Sequence, residues 1–385
     1  MTPRERFLMA CNHQIPDRVP IALGGTANKF YTSTMEKLLK YYNLNPDEVV
    51  MEPAGFKFIP FHEKLYQRLG VDTRMVYPQT NTAKMLEAQR MKSSYKTIWG
   101  SKIHFNDSDG EWAELGVGLP LGHDDLTLEE ILAYPWPTPT KDVVKGLRRC
   151  ALEIRDRGDY AIGVYRVFEA GIFGVVHNML RGMVNFFYDL AGDIEIAEAL
   201  LDKVLEVQKA YYGVVLDDVG DLVDFVEIED DMGMQDRPLI SPQAYRDIIK
   251  PRHKELIQFI KSRCNPGIKV FMHSDGAIYD LIPDFIDIGV DILNPLQLGA
   301  KGIDLDVIKK NYGEKLAFLG GVNVQQPFKG STDDVRRVVR EAIDCLASGG
   351  GYILGPTHNY PPDVPVENIV TMFEYAKEYG QYSAS

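Results

Sequence analysis

His273 and Asp275 close the apolar run Lys269 to Gly276, KVFMHSDG. Successive residues of a strand alternate faces, so these two point to the same side. A histidine with a carboxylate two positions away suits a metal ligand set, a general acid/base pair or a hydrogen-bonded core histidine. A second histidine, His358, directly follows the run GGGYILGPT, and carboxylates gather in DFVEIEDD, Asp224 to Asp231. Alternation there turns Val226 and Ile228 one way and Glu227, Glu229 and Asp231 the other. Carboxylates on the inner face of an apolar strand are costly unless paired or bound to a cation; neutralising Lys and Arg from neighbouring strands are the structural alternative. Converged, Glu229, His273, Asp275 and His358 would form an N/O ligand set for zinc or a similar divalent ion. Asp231 or Asp230 is then the candidate general acid/base, or a carboxylate that supports a ligand.

Tyr165 and Phe168 follow the end of another apolar run, YAIGVYR (Tyr160 to Arg166), and with Met232 and Asn294 are the expected substrate-pocket residues. The aromatics Phe173, Phe186, Phe187 and Tyr188 fit a core equally well. His13, His62, His123, His177 and His253 lie on expected helices or loops without partners, and His104 on a strand surface. No G-x-G-x-x-G or Walker pattern occurs, so nucleotide cofactors have no support.

The elements that must position these residues follow from the rhythm of the chain. RVPIALGG, TRMVYP, YAIGVY, DFVEIE, KVFMHS, DILNPL, LAFLGG and GYILGP make eight candidate strands, separated mostly by stretches of helical periodicity. Strands alternating with helices give right-handed crossovers and a parallel sheet, and eight is the number that closes a barrel with its active site at the C-terminal strand ends. The expected fold is α/β: a single (β/α)8 TIM-type barrel over residues 1–385. An N-terminal helical extension (Arg4 to His13) precedes it, and a β-hairpin excursion at about 95–121 turns at Asn106 to Gly110.

With 385 residues, 45% of them apolar, the chain has material for a substantial core. A net charge of −13 without Lys/Arg clusters argues against nucleic acid and anionic membranes as partners. Cys11, Cys150, Cys264 and Cys345 are far apart and signal neither a disulfide framework nor a thiolate zinc site. No run is long and apolar enough to span a membrane, and the N-terminus MTPRERFLMACNHQIPDR is too charged for a signal peptide, so a cytoplasmic protein is expected.

The opening RERFLMACNHQIPDRVPI, the central HSDGAIYDLIPDFIDIGVDILNPLQ, the strand LAFLGGVNVQ and the closing GGGYILGPTHNYPPDVPVENI together resemble the uroporphyrinogen decarboxylase superfamily over nearly the whole chain. That resemblance has two branches. The decarboxylases carry an N-terminal R-Q-A-G-R-Y segment whose arginines grip substrate carboxylates. The corresponding ALGGTANKFY here has no arginine, which departs from a tetrapyrrole site.

The other branch is the cobalamin-dependent methyltransferases. In its thiol-methylating members the zinc ligands resemble an H-x-C-G motif and a later cysteine before a P-x-x-P-x-E-N segment. Here His273 matches the histidine, while Asp275 and His358 fall on the cysteine positions, the latter ahead of PPDVPVEN. Harder O and N donors suit an oxygen-bearing substrate better than a thiol. The resemblance therefore implies the methyltransferase component of an O-demethylase of anaerobic metabolism. Such an enzyme passes the methyl group of a small aryl methyl ether to a separate corrinoid protein, with zinc the expected metal. The chain lacks a D-x-H-x-x-G cobalamin-ligand motif, so the cobalamin is expected on that partner; a homodimer is left open. A uroporphyrinogen decarboxylase-like decarboxylase is the alternative enzyme, and a non-catalytic barrel docking on a corrinoid or transport partner the reading from another class.

Overall fold

Seven of the eight apolar runs become one curled parallel sheet around a common axis. The computed structural model describes residues 1–80, 82–107 and 113–382. In chain order, β1 (Val50–Ala54) and β2 (Lys57–Phe61) pair as an antiparallel hairpin, and β3 (Thr73–Val76) enters the main sheet. β4 (Ser94–Lys96), β5 (Lys102–Phe105) and β6 (Ala113–Val117) form a separate antiparallel sheet, the expected excursion. Of its expected turn, residues 108–110 lie outside the described residues. Then come β7 (Ala161–Val164), β8 (Phe225–Glu229), β9 (Lys269–His273), β10 (Ile292–Asn294), β11 (Ala317–Val322) and β12 (Tyr352–Pro356). The main sheet runs β12-β11-β10-β9-β8-β7-β3.

The remaining run, RVPIALGG, bridges the two ends of that sheet. The Ala22 N–H donates to the Leu354 carbonyl of β12 (3.0 Å), and the Asp72 N–H beside β3 donates to the Ile21 carbonyl (2.8 Å). Its pairing is short because Pro20 has no N–H to give and the chain turns at Gly24, at φ 97°.

Alternation along the strands builds two cores. Val226, Ile228, Val270 and Met272 face outward into the layer under the helices, whereas Phe225, Phe271, Ile292, Ala317 and Ile353 fill the barrel axis. The first helix, Pro3–Cys11, starts at a Thr2/Glu5 capping box and pushes Phe7, Ala10 and Cys11 into that axial core from its N-terminal end. One end of the barrel is thereby plugged with apolar side chains, and polar residues further along the same faces emerge at the other end. Among the described residues, no helix is long and apolar enough to cross a membrane.

Candidate metal centre and its cavity

At the C-terminal strand ends a cavity of about 230 Å³ opens, with Asp231, His273, Asp275 and His358 in its wall. Its lining also includes Leu115 of the β6 excursion and Phe56 of the β1–β2 turn. His273, the last residue of β9, is nearly buried; its Nε2 lies 3.6 Å from Asp275 Oδ2 and 3.7 Å from Asp231 Oδ1. One donor atom from each of these three residues fits within 4.8 Å of the other two. Around a zinc ion at the usual bond lengths, donor atoms sit roughly 3.4 Å apart, so the set fits a divalent cation with little movement.

The protein holds the three groups in place. Asn294, at the end of β10, donates its amide N–H to the Leu319 carbonyl (2.9 Å), which turns its Oδ1 toward His273 Nδ1 at 2.6 Å. Nδ1 must therefore carry a proton, and Nε2 is the ring nitrogen left facing the two carboxylates. The Asp275 backbone N–H donates to Asp231 Oδ1 (3.0 Å), and the Ser274 hydroxyl accepts the Met232 N–H (3.0 Å), tying the loop after β8 to the loop after β9.

Electrostatics favour a cation at this point. Burial pulls His273 down, but Asp275, Asp231 and the Asn294 hydrogen bond outweigh it and lift the imidazole to about 9. Asp231 is pushed up by its protein surroundings and by the like charge of Asp275; burial also raises Asp275, but His273 and His358 bring it below the usual range. Two carboxylates competing for one positive partner are relieved by a divalent ion. His358 opens onto the cavity yet is surrounded by protein, and that desolvation pushes its imidazole down to about 4, a neutral ring.

Several expected roles change. Of the four expected ligands, Glu229 and His358 do not join the three-residue group: the Glu229 carboxylate is ion-paired with Arg166, just past the end of β7, and His358 lines the same cavity outside the group. Asp231 takes the place of Glu229 beside His273, because the chain leaves the strand after Glu229. Asp230 is fully buried and spent, its Oδ2 accepting the Phe173 N–H (2.7 Å) and facing His253 Nε2 (2.9 Å), and its Oδ1 accepting the Gly174 N–H (2.7 Å). Both of its oxygens are occupied in this way, and the residue also lines the cavity. None of the four expected pocket residues forms the cavity wall. Phe168 packs on Trp99, Tyr211 and Tyr212; Met232 and Tyr165 are fully buried; Asn294 stands behind His273. Of the histidines read as unpartnered, His253 bonds Tyr245 and Asp230, His62 accepts the Leu65 N–H, and His177 lines the cavity.

Sequence reasoning missed the basic side of the cavity. Lys29, Lys57 and Arg166 line it together with Glu169 and Asn178. Arg166 at a strand end was legible by the same logic that singled out His273. Lys29 was not, since it sits in the loop Gly24 to Tyr31, which has no periodicity. That loop is fastened by buried Glu227, whose Oε2 accepts both the N–H and the hydroxyl of Thr26 at 3.1 Å.

The structure is similar to a methyltransferase from Methanosarcina mazei, with a TM-score of 0.64 at 17% identity over 98% of this chain and 99% of that one. It is also similar to a B12-independent methionine synthase from Shewanella sp. W3-18-1 in complex with selenomethionine, with a TM-score of 0.45 at 10% identity over 94% and 96% of the chains. The first of these is a likeness of fold. No curated protein matches the sequence. Residues 166–379, more than half of the chain, match the uroporphyrinogen decarboxylase (URO-D) family. That span holds β8 to β12 and all three residues of the candidate metal centre, and the chain belongs to the uroporphyrinogen decarboxylase family.

Proposed function

We propose that this protein is a metal-dependent methyltransferase that moves a methyl group from a small aryl methyl ether to the cobalt of a separate corrinoid protein. The observation that carries the reading is the thiolate-free group Asp231, His273 and Asp275 at the barrel mouth. Its N and O donors suit zinc or a similar ion working on an oxygen-bearing substrate. The fold shared with a solved methyltransferase is compatible with it.

When bound, the ion would supply Lewis-acid polarisation of the ether oxygen. The chain's own residues do the rest. His273 and Asp275 hold the ion, with Asn294 fixing the imidazole and Asp231 completing the set. His358 opens onto the same cavity but stands outside the group of Asp231, His273 and Asp275. Leu115 and Phe56 add apolar surface to the cavity.

Elemental analysis combined with methyl transfer from guaiacol to cob(I)alamin tests the reading. A protein that binds no divalent ion and transfers no methyl group from methoxylated aromatics would sink it. A decarboxylase reading draws support from Lys29, Lys57 and Arg166, which would suit an acidic substrate. Against a tetrapyrrole stands the size of the cavity, about 230 Å³, below the roughly 300–1,000 Å³ of sites for drug-sized ligands. Metal-independent loss of carbon dioxide from uroporphyrinogen would replace the first reading with this one.

A further inference from the structure

Glu169, in the loop after β7, lines the cavity and is only 5% exposed. Its backbone carbonyl accepts from the Arg166 guanidinium (2.8 Å), whose charge is committed to Glu229. Glu169 Oε2 is sealed from solvent and accepts no hydrogen bond; the Trp99 indole N–H, in the loop between β4 and β5, faces it without reaching hydrogen-bond geometry. The phenols Tyr95 and Tyr211 also face it and bring no positive charge. An ionised carboxylate is costly in such a place, so burial lifts Glu169 above the usual carboxylate range, with its own backbone N–H, Arg166 and Trp99 opposing. Other candidates in the wall are occupied or neutral: Lys29 donates to the Tyr165 hydroxyl (2.7 Å), and burial keeps the His177 and His358 rings unprotonated.

We propose that Glu169 is a catalytic residue, the proton donor to the oxygen that loses its methyl group. This rests on the methyl-transfer reading. The carbon–oxygen bond breaks as the methyl carbon takes up the electron pair of the corrinoid cobalt, and the pair of the broken bond stays on oxygen. The Glu169 O–H proton passes to that oxygen, so the product leaves as a neutral phenol and Glu169 is left as a carboxylate. Water entering the emptied cavity returns the proton. A neutral phenol is a weaker metal ligand than a phenolate, so the same proton also frees the product from the ion held by Asp231, His273 and Asp275.

Infrared difference spectra of the full-length protein, wild type minus Glu169→Gln, read the protonation state without turnover. Wild type at neutral pH should show the carbonyl stretch of a neutral carboxylic acid that the variant lacks. Methyl transfer to cob(I)alamin is then measured from 1,2-dimethoxybenzene and from its 4-nitro derivative, neither of which carries an ionisable group. The nitro group stabilises the departing phenolate, so that ether needs little help from a proton. Glu169→Gln should keep its metal content, lose about 100-fold or more of kcat with the plain ether, the scale of general-acid catalysis, and lose less than about tenfold with the nitro ether. In wild type alone, kcat with the plain ether should fall as rising pH ionises Glu169, whereas kcat with the nitro ether should not, which tests the donor independently of the variant's folding. Absence of the acid band, an equal loss with both ethers, or the same pH dependence for both overturns the proposal while wild-type turnover leaves methyl transfer standing. No transfer by wild type from either ether removes the methyl-transfer reading, and the donor role falls with it even where the acid band is present.

Discussion

His273 Nδ1 stands 2.6 Å from Asn294 Oδ1, and the Asn294 amide is itself fixed on the Leu319 carbonyl. The tautomer of the candidate ligand is thus set by a backbone carbonyl two strands away. Asn294→Ala should weaken divalent-metal affinity roughly 10–100-fold, the usual effect of losing a partner that orients a ligating histidine. Chelator competition measures it, and unchanged affinity would remove Asn294 from the site.

Asp230 and Asp231 are neighbours with separate duties. Asp230→Ala leaves His253 and two buried N–H groups without their acceptor and should cost about 3–5 kcal/mol of stability. Asp231→Ala, at a carboxylate 58% exposed, should cost little stability and much metal. Denaturant melts paired with metal analysis distinguish the two, and the reverse pattern would contradict the assignment.

Burial, with Arg166 adding to it, pushes Lys29 down to about 7 from an ordinary 10.5. Between those values the unfolded chain binds a proton that the folded chain has released, so this residue's contribution to stability rises with pH, by up to about 1.4 kcal/mol per pH unit. Below the folded value both states are protonated and the full burial penalty remains. Lys29→Met removes the residue's slope: the stability of wild type relative to the variant should climb between about pH 7 and pH 10. Urea melts across that range check it, and a flat difference would contradict it.

A methyl group on Gly25 would lie 2.2 Å from Glu227 Oε1, against a carboxylate already holding Thr26. Gly25→Ala should cost about 1–3 kcal/mol by displacing the loop that carries Lys29. Gly192→Ala, where nothing lies within 4 Å, should be neutral or slightly stabilising. Equal melting temperatures for the two variants would show that the loop is not clamped.

The strands were legible because strands buried on both faces read as continuous apolar runs, and parity put Val226 and Ile228 together on the face that packs under the helices. Parity also kept His273 and Asp275 together. It could not choose between Glu229 and Asp231, which share a face: that choice depends on Arg166 reaching across from β7. The role of Asn294 depends on the Leu319 carbonyl, a backbone group that no side-chain pattern encodes. Lys29 was hidden for a third reason, since a clamped loop is set by Glu227 and Thr26, distant in sequence, and the absence of arginine in ALGGTANKFY concealed the basic wall.

The most direct test of the central claim is the metal content and methyl-transfer activity of His273→Ala beside wild type. The account predicts a divalent ion and transfer from a methoxylated aromatic to cob(I)alamin in wild type, and neither in the variant. A folded His273→Ala protein that keeps both its full metal content and its turnover would contradict it.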